Sequence, residues 1–326
     1  MGHYIVTGGS GFVGTHLVAE LVRHGHTVEV VDQVPPQIKD QNVTFVPLDL
    51  RVDEYRRKPR AAVVAIFHLA GNRSGPASVL DPRGDLMSNG VGSVAAGLMA
   101  YRVRAQRLIF LSTASVYGNP AGAVPIREEH PKNPILPYGA SKLAAENTYL
   151  SMLRTHELPI VIGRSFAIYG PGDSVRGSFT EVDRFLRFAL NEQPIQVLGD
   201  LDSKTRDFVH VTDVVKALLI LGTDGVIGEA YNIASGVEIS QRQLIKLLER
   251  VLKRKLSIAQ KLHTTNDSFR FAGDIRKIRR LGFRPSVELA EGVSQLAKHY
   301  GTSARPPDEE VILRAPSAPH IIGGNS

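Results

Sequence analysis

The chain contains no cysteine among its 326 residues. That excludes a disulfide framework and a thiolate metal site, and frees the fold from any need for an oxidising compartment. Long apolar runs are missing too, since none approaches the roughly 18 residues a membrane helix requires. The start of the sequence has neither the charged segment and apolar core of a secretory signal nor, in Met-Gly-His-Tyr-Ile-Val, the Ser or Thr of a myristoylation signal. The expectation is a cytoplasmic protein that uses no membrane. Acid is in deficit: the formal net charge is +7 and the isoelectric point is near 9.6. The cations are spread from Arg23 to Arg314, and the densest group, Arg276-Lys277-Ile278-Arg279-Arg280, has no aromatic residues interleaved. It reads as a solvated helix face rather than a nucleic-acid surface. A positive field does suit a small molecule carrying a diphosphate. With 43% hydrophobic residues the chain can bury a large core, and its length predicts two lobes.

What is present begins with Thr7-Gly8-Gly9-Ser10-Gly11-Phe12-Val13-Gly14, directly after an apolar run Tyr4 to Val6 that reads as a first strand. A strand turning sharply into a helix needs residues without a Cβ where backbone meets a pyrophosphate, and the exposed N–H groups of the new helix favour that anion. Gly8, Gly11 and Gly14 supply those positions. An apolar helical face follows (Phe12, Val13, Leu17, Val18, Leu21, Val22), then Gly25 as a helix stop, then a strand Thr27 to Val31 ending in Asp32. An acid there hydrogen-bonds the ribose hydroxyls of NAD and repels the extra phosphate of NADP. Asp49, with Leu50 beside it, follows a third strand Val43 to Leu48 and is expected at the adenine edge.

Strands and helices then alternate as in a doubly wound parallel α/β (Rossmann) sheet. Val63 to Leu69, Leu108 to Leu111 and Pro159 to Gly163 read as the fourth to sixth strands, with helices near Asp85 to Tyr101 and Ser141 to His156. Residues 1–165 are expected to form the NAD-binding domain, with the sheet revisited by about 205–235. A smaller substrate lobe takes 166–204 and 236–300, with helices near Phe179 to Asn191 and Ser240 to Lys253, and the Pro-rich 301–326 reads as a disordered tail.

Two stretches carry chemistry that this topology brings together. In Tyr138-Gly139-Ala140-Ser141-Lys142 the Tyr and Lys are four apart and share one helix face. A phenol with a pKa near 10 is about 0.1% ionised at neutral pH, too little for an efficient base. An ammonium one turn away, joined by a nicotinamide cation, would favour the phenolate. Ser112-Thr113-Ala114-Ser115-Val116-Tyr117-Gly118 follows the fifth strand, and hydroxyls at the C-terminal end of a parallel strand face the ligand crevice. Thr113 is placed to hydrogen-bond both a substrate oxygen and the Tyr138 phenol.

Together the glycine turn, Asp32, His68-Leu69-Ala70-Gly71, Ser112 to Gly118 and the Tyr138/Lys142 pair resemble the extended short-chain dehydrogenase/reductases, the NAD-dependent epimerase/dehydratase family. Arg164 to Gly172, Thr205 to Asp213, Tyr231 to Gly236 and Asp274 to Phe283 are similar to further family segments, so the resemblance covers roughly residues 3 to 300. It implies Thr113, Tyr138 and Lys142 as catalytic residues. It also implies Leu69, Ala70, Asn89, Tyr138 and Lys142 in the NAD pocket with Phe12 and Val13 of the turn, and a substrate held by Thr113, Ser115 and Tyr138. Arg206 matches an arginine that grips a substrate diphosphate, with Arg270 as its partner; a guanidinium fork suits that group. The helices near 85–101 and 141–156 correspond to those that pair in family homodimers.

Two departures bear on the reaction. Family dehydratases carry Asp-Glu after the catalytic Thr, and here Ala114 and Ser115 stand there, which cannot supply the acid–base pair of an elimination. Ala167 replaces an asparagine that helps bind substrate. The resemblance therefore implies a nucleotide-sugar epimerase acting at C4 of a UDP-hexose through a 4-keto sugar. A 4-keto-sugar reductase or a dehydratase is the enzymatic alternative, and an NAD-sensing or RNA-associated module the non-enzymatic one.

Overall fold

A computed structural model describes residues 1–119, 124–173, 180–261 and 270–301. Strands β1 (His3–Thr7), β2 (Thr27–Asp32), β3 (Val43–Pro47), β4 (Val63–His68), β5 (Leu108–Thr113) and β6 (Ile160–Ser165) alternate with helices α1 (Phe12–Arg23), α2 (Gly75–Leu80), α3 (Pro82–Leu86), α4 (Gly92–Arg102) and α5 (Pro137–His156). Beyond them come β7 (Ala167–Tyr169), α6 (Glu181–Leu190), β8 (Ile195–Leu198), β9 (Thr205–Arg206), β10 (Phe208–His210), α7 (Val211–Asp224), β11 (Ala230–Ile233), β12 (Ile239–Ser240), α8 (Gln241–Leu252), β13 (Ile258–Lys261), α9 (Arg276–Arg279) and α10 (Leu289–Tyr300).

The main sheet is seven-stranded, in the order β11-β6-β5-β4-β1-β2-β3, and every pairing in it is parallel. Sequence order reverses between β1 and β4, which opens a crevice at the carboxyl ends of those strands. The central strands are buried on both faces. Val6, Val30, Phe67 and Ile109 pack with Leu17, Val18 and Leu21 of α1 and Val214, Leu218 and Leu221 of α7. On the opposite face Ile5, Ile66, Phe110 and Ile162 pack with Met99 and Ala100 of α4 and Ala145, Tyr149 and Met152 of α5. A third apolar cluster joins Phe185 and Leu186 of α6, Leu244 and Leu248 of α8, and Val293 and Leu296 of α10. Among the described residues no helix is long and apolar enough to cross a membrane.

Several boundaries differ from the sequence expectation, each for a local reason. Strand β5 runs two residues past Leu111, which puts Thr113 at its very end. The helix read as starting at Ser141 starts at Pro137, where the fixed φ of proline suits the first helical position; Leu136 caps it with no side-chain bond, so no polar cap marked the start. Tyr138 thus lies in the first turn. The helix read over 85–101 is a helical run from Pro82 to Arg102 interrupted by a π-helical turn at Met87–Val91, which carries Asn89. Ser240 precedes α8 as its cap, exchanging hydrogen bonds with Gln243 in a capping box. Phe179 and the tail beyond Gly301 lie outside the described residues.

Candidate active site

The turn from β1 into α1 requires residues lacking a Cβ at Gly8 and Gly14. Gly8 has φ +70°, and a Cβ there would stand 2.6 Å from the Ala70 nitrogen, while a Cβ on Gly14 would collide with the Gly8 carbonyl oxygen. Helix α1 starts at Phe12 with no side-chain cap and no acid in its first turn, so its first N–H groups face an anion unopposed. Asp32, half-buried at the end of β2, accepts from the Ser10 N–H at 3.0 Å and the Val34 N–H at 3.2 Å. It therefore fixes the turn as well as the end of its own strand.

A cavity beside this turn is lined by Gly8, Val31, Asp32, Gln33, Leu48, Asp49, Leu50, Arg51, Ala70, Gly71 and Ser88. Five expected cofactor residues, Gly8, Asp32, Asp49, Leu50 and Ala70, thus meet at one place. Arg51 was not read from the sequence. Its guanidinium pairs with Asp49 at 2.6 Å and holds that carboxyl below the usual aspartate range. With Asp49 paired, the uncompensated charge lining the cavity is that of Asp32, which suits a ribose diol and not a 2′-phosphate. Gly11, Phe12, Val13 and Leu69 are not part of that lining. Gly11 caps α1, Phe12 meets the His16 ring edge-on, and Val13 and Leu69 pack against the core.

A dinucleotide fits this cradle on two further grounds. Gly71 adopts φ +149° and leaves room that a Cβ would take from the Asn89 carboxamide oxygen. That oxygen is buried without a hydrogen-bond partner, while the Asn89 nitrogen is engaged by Asp85 and Ser141 at 3.1 Å each. A buried acceptor left open beside the pocket is what a bound donor would satisfy. Replacing Asp32→Asn is expected to weaken NAD binding about 10–100-fold, because a charge-assisted bond is lost; NAD content after gel filtration and calorimetric titration read the change.

The expected catalytic residues converge at the carboxyl end of β5. Thr113 is buried, accepts from the Ser115 N–H and donates to the Ser115 hydroxyl, both at 3.2 Å. Tyr138 is anchored through its own N–H to the Ser78 hydroxyl at 3.0 Å. Burial pushes its phenol above the ordinary value; a hydrogen bond with Thr113 opposes that, the Asp85 carboxylate reinforces it, and Arg73 counters it. Lys142 lies one turn along the same face, yet its ammonium donates to the Leu111 carbonyl at 3.1 Å and sits 4.8 Å from the centre of the Phe110 ring. Burial lowers it to about 8, and the charges of Asp85 and Glu146 hold it from falling further. The lowering of the Tyr138 phenol expected from Lys142 is thus not seen: the groups that favour the phenolate are Thr113 and Arg73.

His68 belongs to the same layer. It is fully buried between the hydroxyls of Thr7 at 2.7 Å and Ser93 at 3.0 Å, and burial, with the Lys142 charge second, lowers it to about 3. It is a neutral brace rather than a base. Ser112 departs from the expectation for hydroxyls at this strand end. Its Oγ donates to Glu146 at 2.6 Å, away from the crevice, because Glu146 forms a buried ion pair with Arg164 at 2.7 Å. Arg164 also donates to the Tyr117 hydroxyl at 3.0 Å and the Glu128 carbonyl at 2.9 Å. Ala114 is buried in the core and Ser115 half-buried, so neither dehydratase position holds a carboxylate.

Arg206 and Arg270 each pair with a different carboxylate. The Arg206 Nε lies 3.3 Å from Glu181 of α6, not against its neighbour Asp207, whose carboxylate accepts from the N–H groups of Ser235, Gly236 and Gly273. Arg270 makes two parallel bonds to Glu238, at 2.8 and 2.7 Å, and Glu238 also accepts from the Thr205 hydroxyl at 2.6 Å. Ala167 opens β7, its N–H donating to the Asp207 carbonyl at 3.0 Å.

Sequence reasoning missed the polar interior behind this site: Asp85, Asn72, Ser141 and the Glu146–Arg164 pair. One signal was available. The buried face of α5 is Ser141, Lys142, Ala145, Glu146 and Tyr149, a polar stripe at helical spacing from Tyr138 that no solvent-facing surface requires.

The NAD-dependent epimerase/dehydratase family model matches residues 4–234. The UDP-glucose 4-epimerase of Mycolicibacterium smegmatis is 31% identical over 312 residues, covering 91% of this chain and 97% of that protein. A GDP-6-deoxy-D-mannose reductase of Pseudomonas aeruginosa is 35% identical over 265 residues, covering 78% and 82%. The crystal structure of a Thermotoga maritima UDP-glucose 4-epimerase with UDP-glucose superimposes with a TM-score of 0.84 at 27% identity, over 93% of this chain and 100% of that one. The sheet order, the glycine turn with Asp32, the Thr113–Tyr138–Lys142 cluster and these matches agree, and the chain belongs to the NAD-dependent epimerase/dehydratase family of extended short-chain dehydrogenase/reductases.

Proposed function

We propose that this chain is an NAD-dependent nucleotide-sugar epimerase that inverts C4 of a UDP-hexose through a 4-keto sugar. The observation that carries the reading is a complete Thr113–Tyr138–Lys142 set with no carboxylate at Ala114 or Ser115. The set can move a hydroxyl proton, and it lacks the acid–base pair that would eliminate water. The named 4-epimerases among the relatives support the same choice.

NAD, when bound, supplies the hydride acceptor at C4 and then the donor to the opposite face. The protein's part is proton transfer and grip. Tyr138 as phenolate takes the C4 hydroxyl proton, and the phenol returns it once the sugar has turned. Thr113 holds the oxygen that carries the proton and, with Arg73, favours the phenolate, while the Lys142 ammonium holds the bound cofactor from the same helix face. Arg206 and Arg270 hold the diphosphate, so binding energy falls on the part of the substrate that does not react while the sugar is free to swing. Glu181 and Glu238 keep both guanidiniums oriented until then. The chain is further proposed to act in the cytoplasm as a homodimer paired through α4 and α5; exposed Val91 and Tyr101 suit an apolar helix contact, and light scattering reads the mass.

The site's titration sets a pH limit. Lys142 must stay an ammonium, and burial lowers it to about 8, so it loses its proton as pH rises through that value. Because the Tyr138 phenol sits above its ordinary value, activity is expected to rise with pH up to about 8 as phenolate accumulates and to stop rising there as Lys142 loses its proton, which kcat/KM measured from pH 6 to 10 checks. The Pseudomonas relative favours one second reading, a 4-keto nucleotide-sugar reductase. Incubating the protein with UDP-, GDP-, dTDP- and CDP-sugars separates the two. The proposal expects C4 epimers by NMR with no cofactor added, whereas a reductase consumes reduced cofactor mole for mole.

A further inference from the structure

Behind Tyr138 and Lys142 lies a carboxylate that the reaction itself does not call for. Asp85 of α3 is only 2% exposed. Its Oδ1 accepts from the Asn72 side chain at 2.6 Å and the Asn89 side chain at 3.1 Å, and its Oδ2 accepts from the Ser141 hydroxyl at 2.5 Å. Three donors from three segments converge on it: the loop after β4, the π-helical turn, and α5. Only an ionised carboxylate accepts from all three, since an asparagine would turn an NH2 group toward one of them. Ser141 sits between Tyr138 and Lys142 in α5, and its hydroxyl oxygen lies 3.0 Å from the Tyr138 carbonyl oxygen. The same bond to Asn89 turns that side chain so that its unpartnered oxygen faces Gly71 at the cofactor pocket.

We propose that Asp85 is a positioning residue for the Tyr138–Lys142 pair: one buried charge that braces the catalytic helix against the cofactor loop and sets the electrostatic balance between phenol and ammonium. The inference rests on the proposed role of that pair in proton transfer. The charged and titratable groups facing this point are Arg73 from the loop after β4, His68 from β4, and Tyr138, Lys142 and Glu146 from α5. His68 is neutral, Glu146 is paired with Arg164, and Arg73 is paired with Asp173 at 2.5 Å. A negative charge at 85 favours the ammonium of Lys142 and disfavours the phenolate of Tyr138. The two effects have one sign in pH: each keeps its proton to a higher pH than it would without Asp85.

The consequence is a displacement of the whole pH profile. In the NAD-loaded full-length Asp85→Asn protein, both limbs of kcat/KM with UDP-glucose are expected to move to lower pH by about one unit. The Tyr138 phenol, followed by phenolate absorbance against a Tyr138→Phe blank, moves the same way. Ser141→Ala keeps the charge and cuts the tie, so it lowers kcat several-fold at every pH and moves neither limb. Should Asp85→Asn fail to fold, Asp85→Ser carries the same expected shift with a hydroxyl left for the asparagines. A lowered profile with limbs and phenol titration in place would reduce Asp85 to a structural role and overturn the proposal. A wild-type protein that epimerises no sugar, but whose phenol still titrates lower in Asp85→Asn, would overturn the function and leave the assignment of Asp85 standing.

Discussion

Tyr138→Phe is expected to lower C4 epimerisation about 10³–10⁴-fold while leaving NAD bound, because it deletes one oxygen and with it general acid–base catalysis. The ring of Phe fits the same space, and the Tyr138 backbone anchor to Ser78 does not involve the phenol. The cofactor contacts proposed for the glycine turn, Asp32 and Asn89 do not depend on the phenol oxygen. Kinetics by coupled assay and NAD content by absorbance read the two quantities separately. Wild-type turnover in Tyr138→Phe would remove the phenol from the mechanism.

The second large effect is on stability. Glu146→Ala leaves the Arg164 guanidinium buried without its partner and also strips the Ser112 hydroxyl of its acceptor. Breaking a buried pair by removing one member costs about 3–5 kcal/mol. The loss should lower Tm on the order of 10 °C for a chain of this size. Replacing both members, Glu146→Leu with Arg164→Met, should recover more than half of the loss, since no buried charge is left unpaired. Thermal unfolding of the two single variants and the double variant forms the required cycle. Additive losses in the double variant would mean that the two side chains stabilise independently, through Ser112 on one side and Tyr117 on the other.

These two predictions draw on parts of the protein that were unequally readable. The phosphate turn, Asp32 and the Tyr138/Lys142 spacing were legible because each demands particular residue types: no Cβ at Gly8 and Gly14, a short acid at the strand end, a phenol and an amine one turn apart. Six of the seven sheet strands were legible because parallel strands buried on both faces read as unbroken apolar runs. Asp85, Asn72 and Arg164 were not, because single polar residues scattered between positions 72 and 164 show no periodicity until the fold closes them together, and only Glu146 shared the polar stripe of α5. The start of α5 at Pro137 escaped notice for want of a polar cap. The direction of the phenol shift depends on burial and on where the Lys142 ammonium points, neither of which spacing reveals.

The central claim is that one bound cofactor carries the C4 hydrogen from one face of the sugar to the other without release. The most direct measurement is incubation of the purified protein with UDP-glucose deuterated at C4, in ordinary water and with no cofactor added, followed by NMR. The account predicts UDP-galactose with the deuterium still on C4, and none from Tyr138→Phe. Loss of the label to solvent, a dehydrated product, or conversion only when reduced cofactor is consumed would contradict it.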